Sequence, residues 1–197
     1  ARAMIRTRIA DIFTAYRTTM TNTRGGNAAH LTIASNLSLL PLLALGLLRN
    51  RSIRIGTQIP SDVRAYHQTL LTTLPVQRLI PFLLPVFYSL HNMPPDAGTI
   101  DMSTQCLIMP PRLNLTSERF ERHGLYLIED GMSVFLWLGR AAVPALTMDV
   151  FGAPDYASLQ SGPIVLPELE NSMSQRLRAI LDRIVTLRRG PYLSLLY

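Results

Sequence analysis

Arginines are the residues of this chain best suited to surface chemistry, because guanidinium groups bind carboxylates and phosphates in a bidentate geometry. All nineteen basic residues among the 197 are arginine, and the formal net charge is +6. Residues 1–100 carry ten arginines and three aspartates, a net +7, whereas residues 101–197 carry nine arginines and ten acids, a net −1. Any electrostatic role is therefore expected in the first half. We interpret the absence of lysine as a signature of genome composition, since both cations do similar work on most exposed surfaces.

Two interpretations of the basic half are open. One is contact with anionic lipid headgroups or an acidic partner, to which each basic residue near a membrane surface contributes about 1 kcal/mol. The candidate contacts are Arg6, Arg8, Arg17, Arg24, Arg49, Arg51 and Arg54. The other is a solvated helical surface whose arginines border the core and pair with carboxylates of neighbouring domains. Nucleic acid is not expected as a partner, because aromatic residues are not interleaved with the arginines.

Enzymatic and metal chemistry find little support in the residue pattern. The four histidines, His30, His67, His91 and His123, show no metal-ligand spacing among themselves or with Cys106. One cysteine forms neither an internal disulfide nor a cysteine-based metal site, which is typical of a cytosolic or nuclear chain. The most apolar run, residues 37–48, is shorter than the ~20 residues that span a bilayer. We therefore predict no catalytic residues, no metal site and no transmembrane helix.

Hydrophobic periodicity predicts an all-helical first half. An apolar residue recurs every three or four positions over residues 4–20, which indicates an amphipathic helix. A leucine-rich helix is expected over residues 38–48, and it must be central because it is apolar on almost every side. A third helix is predicted over residues 61–73, capped by Ser61, and a short fourth one after Pro75.

Beyond these helices the pattern changes to strands. Residues 86–90 favour a strand, and prolines after it predict a linker up to Gly98. The apolar runs 125–128 and 134–138 flank an Asp-Gly pair, which predicts a hairpin whose strands are covered on both faces by helices. Helices are expected over residues 144–150 and 168–187. A return strand is expected over residues 192–196, and Trp137 is placed in the core.

Several segments resemble one known family in a single consistent order along the chain. They are Asp11–Arg17, Asn36–Leu43, Tyr88–Pro94 and Leu115–Gly131, extended by Phe135–Arg140. Each is similar to the C-terminal part of the cargo-adaptor subunit of the COPII vesicle coat, the Sec twenty-four family. The resemblance implies a fold of class α plus α/β, with an all-helical domain at 1–98 followed by a gelsolin-like sheet flanked by helices at 99–197. The second domain is expected to be truncated at its C-terminus.

That resemblance implies a non-enzymatic coat component in endoplasmic reticulum to Golgi transport, of which this segment is mainly scaffold and interaction surface. Expected partners are the paired inner-coat subunit (the Sec twenty-three family) and cargo export signals. The small coat GTPase and the outer coat are expected to act indirectly. The expected location is cytoplasmic and peripheral on the endoplasmic reticulum membrane and COPII vesicles. No cofactor is expected in this segment, and a zinc finger is expected upstream in the full-length protein.

Gelsolin-like domains also raise calcium and actin as rival partners. Calcium requires several convergent oxygen ligands, and this chain has Arg122-His123-Gly124 where gelsolin repeats place a Gly-Asp pair. A calcium-independent actin-binding relative of gelsolin is therefore the alternative that remains. The hairpin tip at Asp130 and Gly131 is a further candidate, since sheet edges and their turns often dock peptides or partners.

Overall fold

The chain folds into two compact units, residues 1–74 and 75–197. The computed structural model describes residues 2–24, 34–56, 58–116, 118, 120–188 and 194–196.

The described residues of the first unit form three α-helices: α1 (Arg2–Arg24), α2 (Leu40–Arg49) and α3 (Ser61–Thr73). All three predicted helices are confirmed, and α1 packs against α2. The Arg2 guanidinium ties the pair together by donating through Nη1 to the carbonyl oxygen of Leu48 at 2.8 Å. Ser61 is the first helical residue rather than the cap, since Pro60 occupies the N-cap position and no side chain caps this end. The expected capping role of Ser61 is therefore wrong.

The leucine-rich helix α2 is not buried as expected. Leu42 and Leu45 are 48% and 45% exposed, and Ala44 is the only buried residue among the described residues of this unit. A helix with leucine on nearly every side needs neighbours all round it, whereas α1 covers only part of its surface. The first unit therefore presents an apolar surface of the kind that larger proteins cover with further domains.

A four-stranded sheet dominates the second unit. Its strands are β1 (Val86–Ser89), β2 (Leu125–Glu129), β3 (Ser133–Leu138) and β4 (Ser194–Leu196). They lie in the order β1-β2-β3-β4, with antiparallel pairing up to β3 and a parallel β3–β4 pair. The predicted hairpin is confirmed. The predicted return strand is confirmed over residues 194–196, whereas its first two residues, 192 and 193, lie outside the described residues.

Three helices accompany this sheet: α4 (Val76–Leu83), α5 (Pro144–Phe151) and α6 (Ser172–Arg188). The last begins four residues later than predicted from Glu168. Asn171 precedes it, and its Oδ1 accepts a hydrogen bond from the Ser174 amide at 2.8 Å, which satisfies a free amide of the first turn. The cap was not apparent in the sequence because the apolar spacing continues upstream to Leu169.

The two faces of the sheet differ. On one face Leu125, Leu127 and Leu136 are fully buried in a core that includes Leu177 and Ile180 of α6. Strand alternation turns the next residues to the other face. There Phe87, Phe120, Tyr126 and Trp137 form an aromatic cluster with neighbouring ring centroids 4.8–5.6 Å apart. Trp137 is 37% exposed, so its expected core position is wrong.

The expected linker before Gly98 packs into the second unit. Ala97 and Gly98 are buried, and Arg176 of α6 donates through Nε to the Ala97 carbonyl at 2.6 Å and through Nη2 to that of Pro94. Residues 75–98, assigned from sequence to the helical domain, therefore lie in the same compact unit as the sheet. The pairing of β1 with β2 places them there. As a domain boundary of the family, residue 98 stays a prediction.

Candidate functional site

The end of α2 and the loop after it concentrate three of the predicted contact residues. We call residues 49–56 the basic loop, after Arg49, Arg51 and Arg54, whose side chains are all exposed. The sequence holds no acidic residue between Asp11 and Asp62. The described residues also place no carboxylate within ion-pair distance of these three arginines. The basic loop therefore presents uncompensated positive charge to solvent.

An arginine on α3 holds the backbone of this loop. The Arg64 guanidinium donates to the carbonyl oxygens of Ser52, Arg54 and Gly56 at 3.2, 3.1 and 3.4 Å. These bonds fix the loop against the first turn of α3, beside a surface cleft of about 420 Å³ lined by Arg51 and Arg54. The sequence analysis did not select Arg64. In the sequence, the one hint of its role is its position: Arg64 is a cation in the first turn of a helix that follows an arginine-rich loop.

A second cleft brings Arg2 to the basic loop. It is lined by Arg2, Arg49 and Arg54 and has a volume of about 360 Å³. Arg2 lies here because its hydrogen bond to Leu48 holds the start of α1 against the end of α2. Three arginines therefore line one concave surface, and guanidinium groups suit an anion carrying several oxygens, such as a phosphate. Arg2, like Arg64, was missed by the sequence analysis.

The remaining predicted arginines lie along α1. Arg6, Arg8 and Arg17 are exposed there, whereas the side chain of Arg24 lies outside the described residues. The structure thus gathers the last three of the seven predicted contacts into one loop and leaves three others spaced along a helix.

His67 on α3 adds no charge to this region. Burial lowers the pKa of His67 from its ordinary value of 6.5, and the positive charge of Arg51 lowers that pKa further. Both effects disfavour the imidazolium form. The arginines therefore supply the positive potential of the basic loop at neutral pH.

Asp130 and Gly131 stabilise the hairpin turn. Asp130 Oδ1 accepts hydrogen bonds from the amides of Met132 and Ser133 at 2.9 and 2.7 Å, which closes the turn. Gly131 is buried with φ +83°, and its carbonyl accepts a hydrogen bond from Arg78 Nε of α4 at 3.1 Å. A Cβ at Gly131 would lie 2.4 Å from the Arg78 carbonyl oxygen. These contacts account for the presence of Asp130 and Gly131 by their structural role alone. Docking of a peptide at this tip therefore stays a prediction.

Three side chains that the sequence analysis did not connect meet on the second unit. His91 follows β1, while Glu121 and His123 lie on the loop that leads into β2. Glu121 Oε2 lies 3.0 Å from His91 Nε2 and 3.1 Å from His123 Nε2. One possible ligand atom from each of the three lies within 4.8 Å of the others. The pairing of β1 with β2 brings His91 to this loop although the two histidines are 32 residues apart.

Two family models match successive parts of the chain. A family model described as "Sec23/Sec24 helical domain" matches residues 1–81, and one described as "Gelsolin repeat" matches residues 107–181. "Protein transport protein SEC24" of Coccidioides immitis is 45% identical over 186 residues, which cover 93% of this chain. The protein of the same name from Chaetomium globosum is 44% identical over 180 residues, 91% of this chain. The chain belongs to the SEC24 family.

A solved structure supports that assignment at the level of the fold. The human COPII-coat protein Sec24c matches 99% of this chain with a TM-score of 0.79 and 26% sequence identity. The chain spans 20% of the Coccidioides SEC24 protein, 19% of the Chaetomium one and 24% of the human structure. The expected class, a helical domain followed by a gelsolin-like sheet with helices, is confirmed.

Within this SEC24-family chain, the basic loop lies in the match to the helical domain. Glu121 and His123 lie in the match to the gelsolin repeat, and His91 lies between the two matched ranges. No described helix is both long enough and apolar enough to cross a membrane.

Proposed function

We propose that this chain is part of a COPII cargo adaptor and acts by binding rather than by catalysis, in transport from the endoplasmic reticulum to the Golgi. The observation that carries the proposal is the similarity to SEC24 transport proteins, which runs through both units and covers 93% of the chain. The structural likeness to a COPII-coat protein supports the same role. In this role the protein is cytoplasmic and peripheral on the endoplasmic reticulum membrane and on the vesicles.

The proposed partners are those of a coat subunit. The full-length protein pairs with a SEC23-family subunit, meets the small coat GTPase and the outer coat through that subunit, and binds cargo export signals. Its zinc finger lies upstream of this segment. Incomplete burial of α2, where Leu42 and Leu45 are nearly half-exposed, supports a scaffold role, since such leucines suit a surface covered by neighbouring domains.

The basic loop is proposed to contact anionic lipid headgroups when the coat lies on a membrane. Its support is the exposure of Arg49, Arg51 and Arg54, the lack of nearby carboxylates among the described residues, and the fixed backbone held by Arg64. Arginine carries its charge at every physiological pH, so the contact would depend on ionic strength rather than on protonation.

Co-purification tests the coat role. The full-length protein is expressed with a SEC23-family subunit, and a stable equimolar complex that recruits the GTP-loaded coat GTPase is the expected result. Failure to form this complex, with both proteins folded, would contradict the proposal.

Actin is the specific alternative, favoured by the match of residues 107–181 to a gelsolin repeat. Sedimentation of the chain with actin filaments, in EGTA so that calcium is absent, separates the two hypotheses. A coat adaptor is expected to remain in the supernatant. Co-sedimentation without a SEC23-family complex would replace the coat proposal with the actin one.

A further inference from the structure

We infer that His91, Glu121 and His123 form a binding site for a first-row divalent cation of the zinc class. The first observation is the donor set. Two imidazole nitrogens and one carboxylate oxygen match the ligands that zinc and its neighbours prefer, whereas calcium and magnesium prefer oxygen alone. The Glu121 oxygen lies 3.0 and 3.1 Å from the two Nε2 atoms, close to the ~3.3 Å edge of a tetrahedron built with ~2.0–2.1 Å metal–ligand bonds.

The surroundings of His91 suit a metal ligand. Its Nδ1 accepts a hydrogen bond from the Leu125 amide at 3.2 Å, and it also lies 3.1 Å from Ser89 Oγ and 3.2 Å from the Leu125 carbonyl oxygen. A histidine ligand usually donates its second ring N–H to a carbonyl or similar acceptor. When a cation replaces the proton on Nε2, the proton moves to Nδ1. His91 then gives up the bond from the Leu125 amide and donates to the Leu125 carbonyl or to Ser89 Oγ instead, which leaves the Nε2 lone pair free for the cation. The site therefore accommodates the tautomer that binds metal.

Neighbouring rings and a glycine hold the His91 imidazole in place. Its ring stands edge-on to those of Tyr126 and His123, with centroids 5.0 and 5.7 Å away. A Cβ at Gly124 would lie 2.9 Å from His91 Cε1 and 2.5 Å from the Tyr126 ring. The absence of a side chain at Gly124 thus lets the imidazole approach the loop that carries the other two ligands. A side chain at this position would displace His91.

That loop is itself fixed by backbone hydrogen bonds. The Glu121 amide donates to Tyr126 Oη at 3.0 Å, and the Gly124 amide donates to the Glu121 carbonyl at 2.9 Å. At the end of β3 the Gly139 amide donates to the Gly124 carbonyl, and the Ala141 amide donates to the Arg122 carbonyl, both at 2.8 Å. Two of the three ligands therefore lie on a preorganised segment, which reduces the ordering cost of binding.

Exposure makes the site reachable. The side chain of His91 is 13% exposed, whereas those of Glu121 and His123 are 54% and 61% exposed. All three line a cleft of about 360 Å³ together with Asn92, Val143 and Leu146. Three protein ligands leave at least one coordination position of the cation directed to this cleft, where water or a partner's side chain can bind. A bound cation would also join the segment after β1 to the loop before β2.

Zinc titration of the metal-stripped 197-residue chain tests the inference. Calorimetry should show one Zn²⁺ bound per chain, and zinc should raise the melting temperature. Glu121→Gln preserves the shape but removes the anionic ligand, and His123→Ala removes an exposed ligand without opening the core. Both variants should lose at least about tenfold in zinc affinity, since even changes behind the direct ligands cost that much. Glu118→Gln, an exposed carboxylate three residues away, is the matched control and should bind like the wild type.

Cobalt gives a second readout that a merely structural role of these residues would not produce. Co²⁺ added to the wild type should give the visible absorption of a nitrogen- and oxygen-ligated ion, and Zn²⁺ should displace it. The inference is overturned if the wild type takes up no stoichiometric zinc. It is equally overturned if folded Glu121→Gln and His123→Ala bind zinc as tightly as Glu118→Gln, because the ion would then lie elsewhere.

Discussion

Reversal of the three charges in the basic loop gives the sharpest test of membrane contact. The perturbation is the triple substitution Arg49→Glu, Arg51→Glu and Arg54→Glu. All three side chains are exposed and, among the described residues, make no ion pair, so their replacement removes surface charge with little effect on packing. The Arg64 hydrogen bonds that fix the loop go to backbone carbonyls and should survive.

The size of the effect follows from the number of charges. Each basic residue near an anionic membrane contributes about 1 kcal/mol, so neutralising three of them removes about 3 kcal/mol. At 1.4 kcal/mol per factor of ten, the partition coefficient should fall roughly a hundredfold. Reversed charges add repulsion, which makes a hundredfold the lower estimate. The effect should shrink with added salt, since the Debye length is about 8 Å at 0.15 M and about 30 Å at 0.01 M ionic strength.

Flotation with liposomes rich in phosphatidylserine measures this loss at low and physiological salt. The control reverses three exposed arginines of the second unit, Arg112, Arg122 and Arg140, and so changes the net charge equally. We expect the control to retain most of its binding, and circular dichroism should give similar melting temperatures for both variants.

Equal losses in the two triple variants would show that only net charge matters and would refute a specific contact at the basic loop. Unchanged binding of the loop variant at low salt would refute it as well. If liposome binding is unchanged but co-purification with the SEC23-family subunit falls, the basic loop binds an acidic partner rather than lipid.

Three stability predictions follow from single contacts. Gly131→Ala should lower the free energy of unfolding by at least about 2 kcal/mol, because a left-handed backbone costs a non-glycine residue about 1–2 kcal/mol and the new Cβ would clash with the Arg78 carbonyl. An unchanged urea midpoint would contradict the burial of Gly131 against Arg78. Arg176→Ala should lower the free energy of unfolding by about 3–6 kcal/mol in the same assay, since its two hydrogen bonds come from a charged donor and contribute ~1.5–3 kcal/mol each. Arg176→Lys should recover only part of this loss, and full recovery would argue against the two-carbonyl geometry. His67→Gln should weaken the loss of stability on acidification, because the pKa of His67 is lower in the folded than in the unfolded chain, so the unfolded chain binds the proton more readily as pH falls below about 6.5. Equal changes in the free energy of unfolding between pH 7.5 and 5.5 for wild type and variant would contradict this prediction.

Local patterns predicted most of the secondary structure. The apolar spacing of α1 and α6 and the Asp130-Gly131 turn are signals within a few residues of each other, and the structure confirms the two helices and the hairpin. The helix ends were predicted less accurately: Ser61 begins α3 without capping it, and Asn171, which was not predicted as a cap, caps α6. Periodicity shows which face is apolar but not which polar side chain satisfies the end.

Burial depended on neighbours that the pattern does not specify. Leu42, Leu45 and Trp137 were predicted to be buried, yet they are 48%, 45% and 37% exposed. Prolines before Gly98 read as a linker, but Arg176, far along the chain, binds that segment's carbonyls. Composition gives the tendency of a side chain to be buried, whereas the packing of distant elements decides whether it is.

By itself, the sequence determined the helices, the hairpin, the family resemblance and the restriction of excess positive charge to the first half. Only the tertiary structure decided which of those charges share a surface, because Arg2 and Arg64 reach the basic loop through hydrogen bonds between separate helices. Only it brought His91 to Glu121 and His123, since the β1–β2 pairing joins segments about thirty residues apart. Secondary structure follows from interactions between near neighbours, whereas a binding site requires groups that the chain brings together only when it folds.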